Sequence, residues 1–408
     1  MNIILVTQWF PPEQAPIGYM IKELAEALAS EGHVVTIITG FPNHPTGVVF
    51  GVYRKRWILK ERIQSVNITR VWLATSANRS PLRRIFTFLT FTFTSGLALL
   101  MQSKPQLIFA VFQPLSVGVT LPLLARLKGA KLILNVQDLH PDVPIELGMI
   151  RNPLMIKVLR AVERFGYRRA NALAVICDTF KEHCIAHGAN AGNVEVIPNW
   201  IDLNEIQPSD RNNTVRERFG LSGLHFVVLY AGTVGWVSGA GVMLQTAVRL
   251  RDLPNVRIVF VGEGPLVPEL KREAQALGLD NVVFAPFQPR EMLPQVQAMS
   301  DVSVVSLRAG KGRASVPSKV LGYMAAARPV LASVDADSET ARTIRLADCG
   351  WLIEPENSEK LAEAIRSMQG DAALRQHLGD NGRKFLENNY ARTTVTDKYV
   401  EFFKRIVK

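Results

Sequence analysis

Ser315-Val-Pro-Ser-Lys-Val-Leu-Gly-Tyr-Met-Ala-Ala-Ala-Arg-Pro-Val-Leu-Ala332 reads as a loop, a helix and a buried strand. Pro317 stands where a helix tolerates proline, in its first turn. Val320, Tyr323, Met324 and Ala327 follow at helical spacing, Arg328-Pro329 breaks the helix, and Val330-Leu-Ala332 continues as a strand. A helix start offers unpaired N–H groups and a partial positive charge, and Lys319 adds a full one, so Pro317, Ser318 and Lys319 form a candidate phosphate site. A plain βαβ unit with a surface lysine gives the same local pattern, so the rest of the chain has to decide between them.

Outward from that stretch, short apolar runs alternate with helical patterns almost throughout. Asn2–Thr7, Val34–Thr39, Leu107–Phe112, Leu132–Val136 and Leu173–Ile176 are continuous runs of the kind found in a parallel sheet buried on both faces. A second series begins with Phe226–Ala231 and continues through Val256–Val261, Val282–Ala285, Val302–Ser306 and Pro329–Ser333. The expectation is α/β: two tandem Rossmann-like, doubly wound domains with a cleft between them. The first spans residues 1–200, the second 201–392, and a last helix at 393–408 packs back on the first domain.

Composition narrows the partners. The 408 residues carry 47 Lys and Arg against 36 Asp and Glu, a net charge of +11, which favours an acidic partner. The basic residues are scattered and no nucleic-acid-binding signature accompanies them, so no nucleic acid is expected. Cys177, Cys184 and Cys349 form no CxxC, which fits a reducing compartment. The chain opens on a strand with no basic leader, so a cytoplasmic location is expected. The run 85–101 is uncharged and follows Arg83-Arg84. As a helix it places Phe86, Leu89, Phe93, Leu97 and Leu100 on one face and Phe88, Phe91, Ala98 and Leu99 on another. Thr87, Thr90 and Thr94 lie between. One apolar face is expected on the sheet and the other on the inner surface of the cell membrane; a fully buried helix is the competing reading.

The turns after the strands carry the chemistry. Gln8-Trp-Phe-Pro-Pro-Glu13 and Gly18 follow the first strand, and Gln137-Asp-Leu-His140 follows Leu132–Val136, putting Asp138 and His140 at a strand's carboxyl end. In the second half, Gly232-Thr-Val-Gly235 follows Phe226–Ala231, and Gly262-Glu-Gly-Pro265 follows Val256–Val261. Gly18, Gly232, Thr233, Gly262, Glu263 and Gly264 are the candidate binding residues. None of these turns matches the GxGxxG dinucleotide pattern or a Walker A sequence.

The order Pro-Pro-Glu13…Gly18, Val196-Ile-Pro-Asn199, Tyr230-Ala-Gly232, Gly262-Glu-Gly-Pro265 and Val316-Pro-Ser-Lys319…Tyr323-Met-Ala-Ala…Arg328-Pro-Val330 resembles the GT-B glycosyltransferases of family 4, the retaining group. Ile197-Pro-Asn-Trp-Ile-Asp202 and Pro317-Ser-Lys319 resemble its branch that builds bacterial surface polysaccharides such as colanic acid and O-antigen. The resemblance implies a UDP-linked nucleotide-sugar donor held mainly by the second domain. It also implies a lipid-diphosphate-linked saccharide acceptor on the first, with retention at the anomeric carbon, no metal and no further cofactor. Lys319 and the N–H groups of Gly232 and Thr233 then stabilise the leaving diphosphate. Glu263 and Gly264 lie near the base, Gly18 meets the diphosphate from the other side, and Asp138 and His140 contact the transferred sugar.

Three departures from that pattern stand out. The family's glutamate pair falls near Ala314 and on Gly322; its arginine and lysine after the glycine-rich turn have no counterpart in Val234–Leu244; and Gln137 replaces a histidine, with His140 three residues on. Lys311 and Arg313 are candidate substitutes for the missing charge. The departures keep an inactive glycosyltransferase-like partner protein in view as an alternative; a sugar-nucleotide 2-epimerase is another, though the sequence lacks the second acidic site its elimination chemistry calls for.

Overall fold

The computed structural model describes residues 1–13, 15–44, 46–75, 77, 80–146, 148–312 and 318–408. Its contacts fall into two units, Met1–Pro198 with Val395–Lys408, and Asn199–Thr394. In the first unit the strands are β1 (Asn2–Val6), β2 (Val34–Gly40), β3 (Ile58–Ile63), β4 (Val66–Val71), β5 (Leu107–Val111), β6 (Lys131–Val136), β7 (Ala172–Val175) and β8 (Val194–Val196). They form one sheet in the order β3-β4-β2-β1-β5-β6-β7-β8. The helices are α1 (Pro16–Ser30), α2 (Pro81–Met101), α3 (Val117–Lys128), α4 (Asp142–Glu146), α5 (Pro153–Arg169) and α6 (Asp178–Ala186). β1 lies at the centre, with Ile4 opposite Thr36 on one side and Ile108 on the other. Its apolar residues are buried on both faces, which is why the run shows no alternation.

The β3–β4 pair departs from the purely parallel sheet that the apolar runs predict. It is an antiparallel hairpin at the sheet edge. Only Gln64 and Ser65 join the two strands, too few for the crossover a parallel pair needs, and Gln64 takes a left-handed φ of 52° to close the turn. β3 is largely solvent-facing, so it lacks the hydrophobic run that marks the others.

In the second unit α7 (Thr214–Arg218) precedes β9 (Phe226–Ala231). Then come α8 (Gly241–Arg249), β10 (Val256–Val261), α9 (Val267–Ala276), β11 (Val282–Ala285), α10 (Leu293–Ala298), β12 (Val302–Ser306), α11 (Lys319–Ala325), β13 (Val330–Ser333), α12 (Glu339–Ala347) and β14 (Gly350–Ile353). Helices α13 (Ser358–Gly370), α14 (Ala372–Asn389) and α15 (Arg392–Val407) complete the chain. All six strands are parallel, in the order β11-β10-β9-β12-β13-β14. Counted within the unit this is 3-2-1-4-5-6, the Rossmann order, with its switch point between β9 and β12. From Val395 onward α15 belongs to the first unit. There Tyr399 and Phe403 lie 5.6 and 5.1 Å from Phe109 of β5, ring centre to ring centre.

The opening stretch forms a shorter helix than its spacing predicts. Ser318 is the N-cap, α11 ends at Ala325, and Ala327 turns left-handed at φ 53° before Arg328-Pro329 and β13. Pro317, with Arg313, Ala314, Ser315 and Val316, lies outside the described residues.

Candidate active site

In a doubly wound sheet, ligands meet the carboxyl ends of the strands at the switch point. In the second unit that place is bounded by the turn after β9 and by α11, the helix that follows β12. Gly232, the first residue of the turn, has φ 128°, a conformation that favours glycine. Lys319, the first residue of α11, reaches it: a Cβ on Gly232 would stand 3.4 Å from Lys319 Cε and 3.7 Å from its Nζ. The Lys319 ammonium sits 3.6 Å from the centre of the Tyr230 ring, a cation–π placement. Among the described residues no carboxylate pairs with it, and burial lowers its pKa to about 7.

Backbone pairing fixes the shape of the turn. Gly232 N–H donates to Val261 O at 2.8 Å and Val234 N–H to Glu263 O at 2.9 Å, so the β9–β10 ladder runs on past the strands. A Cβ on Gly262 would come 2.2 Å from Gly232 O, and one on Gly264 would come 2.3 Å from Val234 O. These two glycines are therefore required to let the turns lie against each other. The expected use of the Gly232 N–H as a diphosphate donor is corrected here, because that group is already committed to Val261. The Thr233 N–H makes no hydrogen bond among the described residues and Thr233 is exposed. Glu263 is exposed beside it, with its carbonyl committed and its carboxylate at the surface. Ser318 is exposed at the start of α11. Tyr323 anchors the turn from below: its hydroxyl accepts from Ala231 N–H at 2.8 Å.

The first unit brings Asp138 and His140 together in the loop after β6, where His140 N–H donates to Asp138 O at 3.1 Å. Asp138 reaches solvent, yet surrounding protein raises its carboxyl pKa to about 6. His140 goes the other way: burial, and then the positive charge of Arg84, lower it to about 4. Its ring is neutral at pH 7, and Nε2 accepts from the Gln113 amide at 3.3 Å. Asp142, at the start of α4, is held by Arg160 and by His183 at 3.3 Å. Arg160 and His183 also bind Glu163, at 3.1 and 3.0 Å. Glu163, His183 and His187 could by spacing hold a metal ion. The Arg160 guanidinium already supplies the positive charge that Asp142 and Glu163 call for, so this cluster reads as a brace for the loop.

Gly18 is accounted for without a ligand. A Cβ there would stand 3.0 Å from Trp9 O and 3.1 Å from Phe10 Cα, so glycine lets α1 lie close against the loop after β1. Glu13 lies under the same loop, fully buried, and accepts from the N–H groups of Asn43, His44 and Phe10. Tyr230 and Gln113 were not legible as site residues. Tyr230 is one apolar position among six in a buried strand, and Gln113 follows its strand with no motif around it.

Two family models tile the chain. The glycosyl transferase 4-like domain matches residues 17–200, and the model for glycosyl transferases group 1 matches 212–385. The chain belongs to the GT-B glycosyltransferases. This glycosyltransferase is 29% identical over 411 residues to the putative colanic acid biosynthesis glycosyl transferase WcaI of Escherichia coli (strain K12), covering 98% of this chain and 99% of that one. Its fold is that of sucrose-phosphate synthase from Thermosynechococcus elongatus, at TM-score 0.78 and 18% identity, with 99% of this chain and 98% of that one covered. Anabaena HepE, solved in complex with UDP-glucose, matches at TM-score 0.73 and 16% identity, with 99% and 100% covered.

Two of the glycosyltransferase's departures can be seen in place. At Gly322 a Cβ would stand 3.1 Å from the Gln297 amide nitrogen, so a side chain there would have to displace the end of the Gln297 side chain. In the turn after β9, the carbonyl of Val237 accepts from Arg308 N–H and that of Ser238 from the Ser306 hydroxyl, which pins the cation-free segment to the end of β12. Asp335 holds the loop ahead of α11 by accepting from the N–H groups of Gly310 and Gly312. Lys311 is half-buried in that loop. Arg313 and Ala314 lie outside the described residues.

Proposed function

We propose that this glycosyltransferase moves a hexosyl or N-acetylhexosaminyl unit from a UDP-linked donor to a lipid-diphosphate-linked saccharide, with retention of anomeric configuration, in bacterial surface-polysaccharide synthesis. The observation that carries this reading is Lys319: a half-buried, desolvated ammonium with no carboxylate partner among the described residues, beside the glycine turn at the switch point of a Rossmann unit. A desolvated, unpaired cation is costly, and a diphosphate relieves that cost. Lys319 and the Thr233 N–H hold the leaving diphosphate, in place of a metal ion. Ser318 stands at the same helix start, and Pro317 precedes it in the sequence. Glu263 and Gly264 border the nucleotide base, and the backbone pairing of Gly232 and Gly262 sets the turn that receives it. On the first unit Asp138, as carboxylate, and neutral His140 contact the transferred sugar. The polysaccharide role follows the likeness to WcaI. A lipid-linked acceptor places the enzyme at the cytoplasmic face of the membrane.

The test is calorimetric titration with UDP, followed by transfer assays over a panel of UDP-sugars and lipid-linked acceptors. Binding with transfer supports the reading. Absence of UDP binding removes it. UDP binding with neither transfer nor donor hydrolysis across the panel favours the second reading, a non-catalytic partner protein, for which the ground is glycine at position 322 in place of the family's glutamate.

A further inference from the structure

The outward face of α2 is built unlike the rest of the surface. Leu82, Phe86, Leu89, Phe93, Leu97 and Leu100 are all exposed, with Phe86 at 57%, Leu89 at 54% and Phe93 at 66%. They recur every three or four residues, a single stripe about 27 Å long at 1.5 Å per residue. The opposite face is core: Phe91, Ala98 and Leu99 are buried. The helix is long and apolar enough to cross a membrane, but it is fastened to its own unit. Thr87 donates to Ala74 O, Ala74 N–H donates to Thr90 at 3.0 Å, and Thr94 donates to Trp72 O at 2.7 Å. It therefore lies along the unit with one apolar face unpartnered.

That face continues sideways. Gly96 of α2 packs on Leu124 of α3, and Gly118 of α3 on Gly166 of α5, so the three helices stand side by side. Leu123 and Leu127 of α3 and Leu154 and Val158 of α5 are exposed in turn. The charge around them has one sign. No Asp or Glu occurs from residue 62 to residue 137, a stretch that includes all of α2 and α3. The only acid in α5, Glu163, is buried against Arg160 and His183. Arg83, Arg84, Arg126 and Lys157 are exposed on these helices.

We propose that the α2–α3–α5 face is a membrane-docking surface, which lays the α2 stripe into the interfacial region of a bilayer carrying anionic headgroups. Apolar side chains in a line, edged by cations and without exposed carboxylates, suit a flat apolar layer under a negative surface. A second copy of the chain fits less well. A two-fold interface would set these cations against their own copies with no carboxylate between them. The proposal goes beyond the transfer reaction and does not depend on it, since attachment is read without donor or acceptor.

The full chain is mixed with vesicles of phosphatidylcholine alone, or with 30% phosphatidylglycerol, and sedimented. Binding to the anionic vesicles is expected. A loss of about tenfold or more in partition is expected for Phe86→Ser/Leu89→Ser/Phe93→Ser, with melting unchanged. Arg83→Gln/Arg84→Gln is expected to lose severalfold. If the triple variant fails to fold, Phe93→Trp serves instead, its emission quenched by brominated lipid beyond the wild-type level. The proposal is overturned if the wild type stays in the supernatant with both vesicle types. It is also overturned if the triple variant binds like the wild type, or if brominated lipid quenches Phe93→Trp no more than the wild type. A wild-type dimer that becomes monomeric in the triple variant with vesicle binding unchanged would make the face a self-association surface.

Discussion

Lys319 holds its ammonium over the Tyr230 ring, and burial takes its pKa to about 7. Bringing a diphosphate to it raises that pKa again, so above pH 7 nucleotide binding takes up a proton. Calorimetry at pH 8 in buffers of different ionisation enthalpy should give uptake approaching one proton for the wild type and none for Lys319→Met. In transfer assays Lys319→Ala should lose about 2.7–4 kcal/mol of transition-state stabilisation, roughly 100- to 1000-fold in rate. Asp138 supplies a second titration. Its carboxyl is raised to about 6 by its surroundings, so the carboxylate proposed to meet the sugar is lost below pH 6. kcat/KM should fall about tenfold per pH unit there, and Asp138→Asn should remove that limb of the profile. The linkage sign is opposite for folding. The native state binds the extra proton between the ordinary carboxyl value of 3.8 and about 6, so this group's contribution to stability declines as pH rises through that window. His140, neutral with its pKa near 4, adds no step to the rate profile between pH 5 and 8.

At the level of elements, α2 shows what a mixed helix is for. Its apolar faces were legible from spacing alone, and so was the threonine stripe between them. Periodicity could not say which apolar face is buried, because both have the same chemistry. The threonines decide it: by bonding to the backbone at 72 and 74 they rotate Phe91, Ala98 and Leu99 inward and Phe86, Leu89 and Phe93 outward. Changing Thr87, Thr90 and Thr94 together to valine removes three hydrogen bonds and leaves backbone groups without partners. A loss of about 2–4 kcal/mol is expected in denaturant unfolding. An unchanged midpoint would mean that the stripe does not hold the helix. The β3–β4 hairpin was illegible for a related reason. An edge strand need not be apolar on both faces, so its sequence carries no run to read.

Over the whole molecule the charge is divided unevenly. The first unit holds 25 Lys and Arg against 14 Asp and Glu, the full excess of +11, while the second holds 22 of each. Exposed large apolar residues follow the same division, and in the second unit they number only Leu224, Trp236, Phe287 and Leu346 among the described residues. Attachment to anionic vesicles should therefore respond to changes in the first unit alone. Glutamine at Arg54, Lys55 and Arg56 should weaken it, glutamine at Arg272, Arg345 and Lys384 should leave it unchanged, and sedimentation of both variants checks the contrast. The sequence by itself determined the two Rossmann units and the turns that carry the site, because strands buried on both faces must be continuously apolar and ligand turns must follow them. Only the tertiary structure decided that Gly262 and Gly264 are spent on packing, that the Gly232 N–H is already bonded, and that Lys319 rests on Tyr230. The physical reason is that a glycine or a lysine looks the same in the chain whether a ligand or a neighbouring backbone fills the space beside it. Which of them fills it depends on residues distant in sequence.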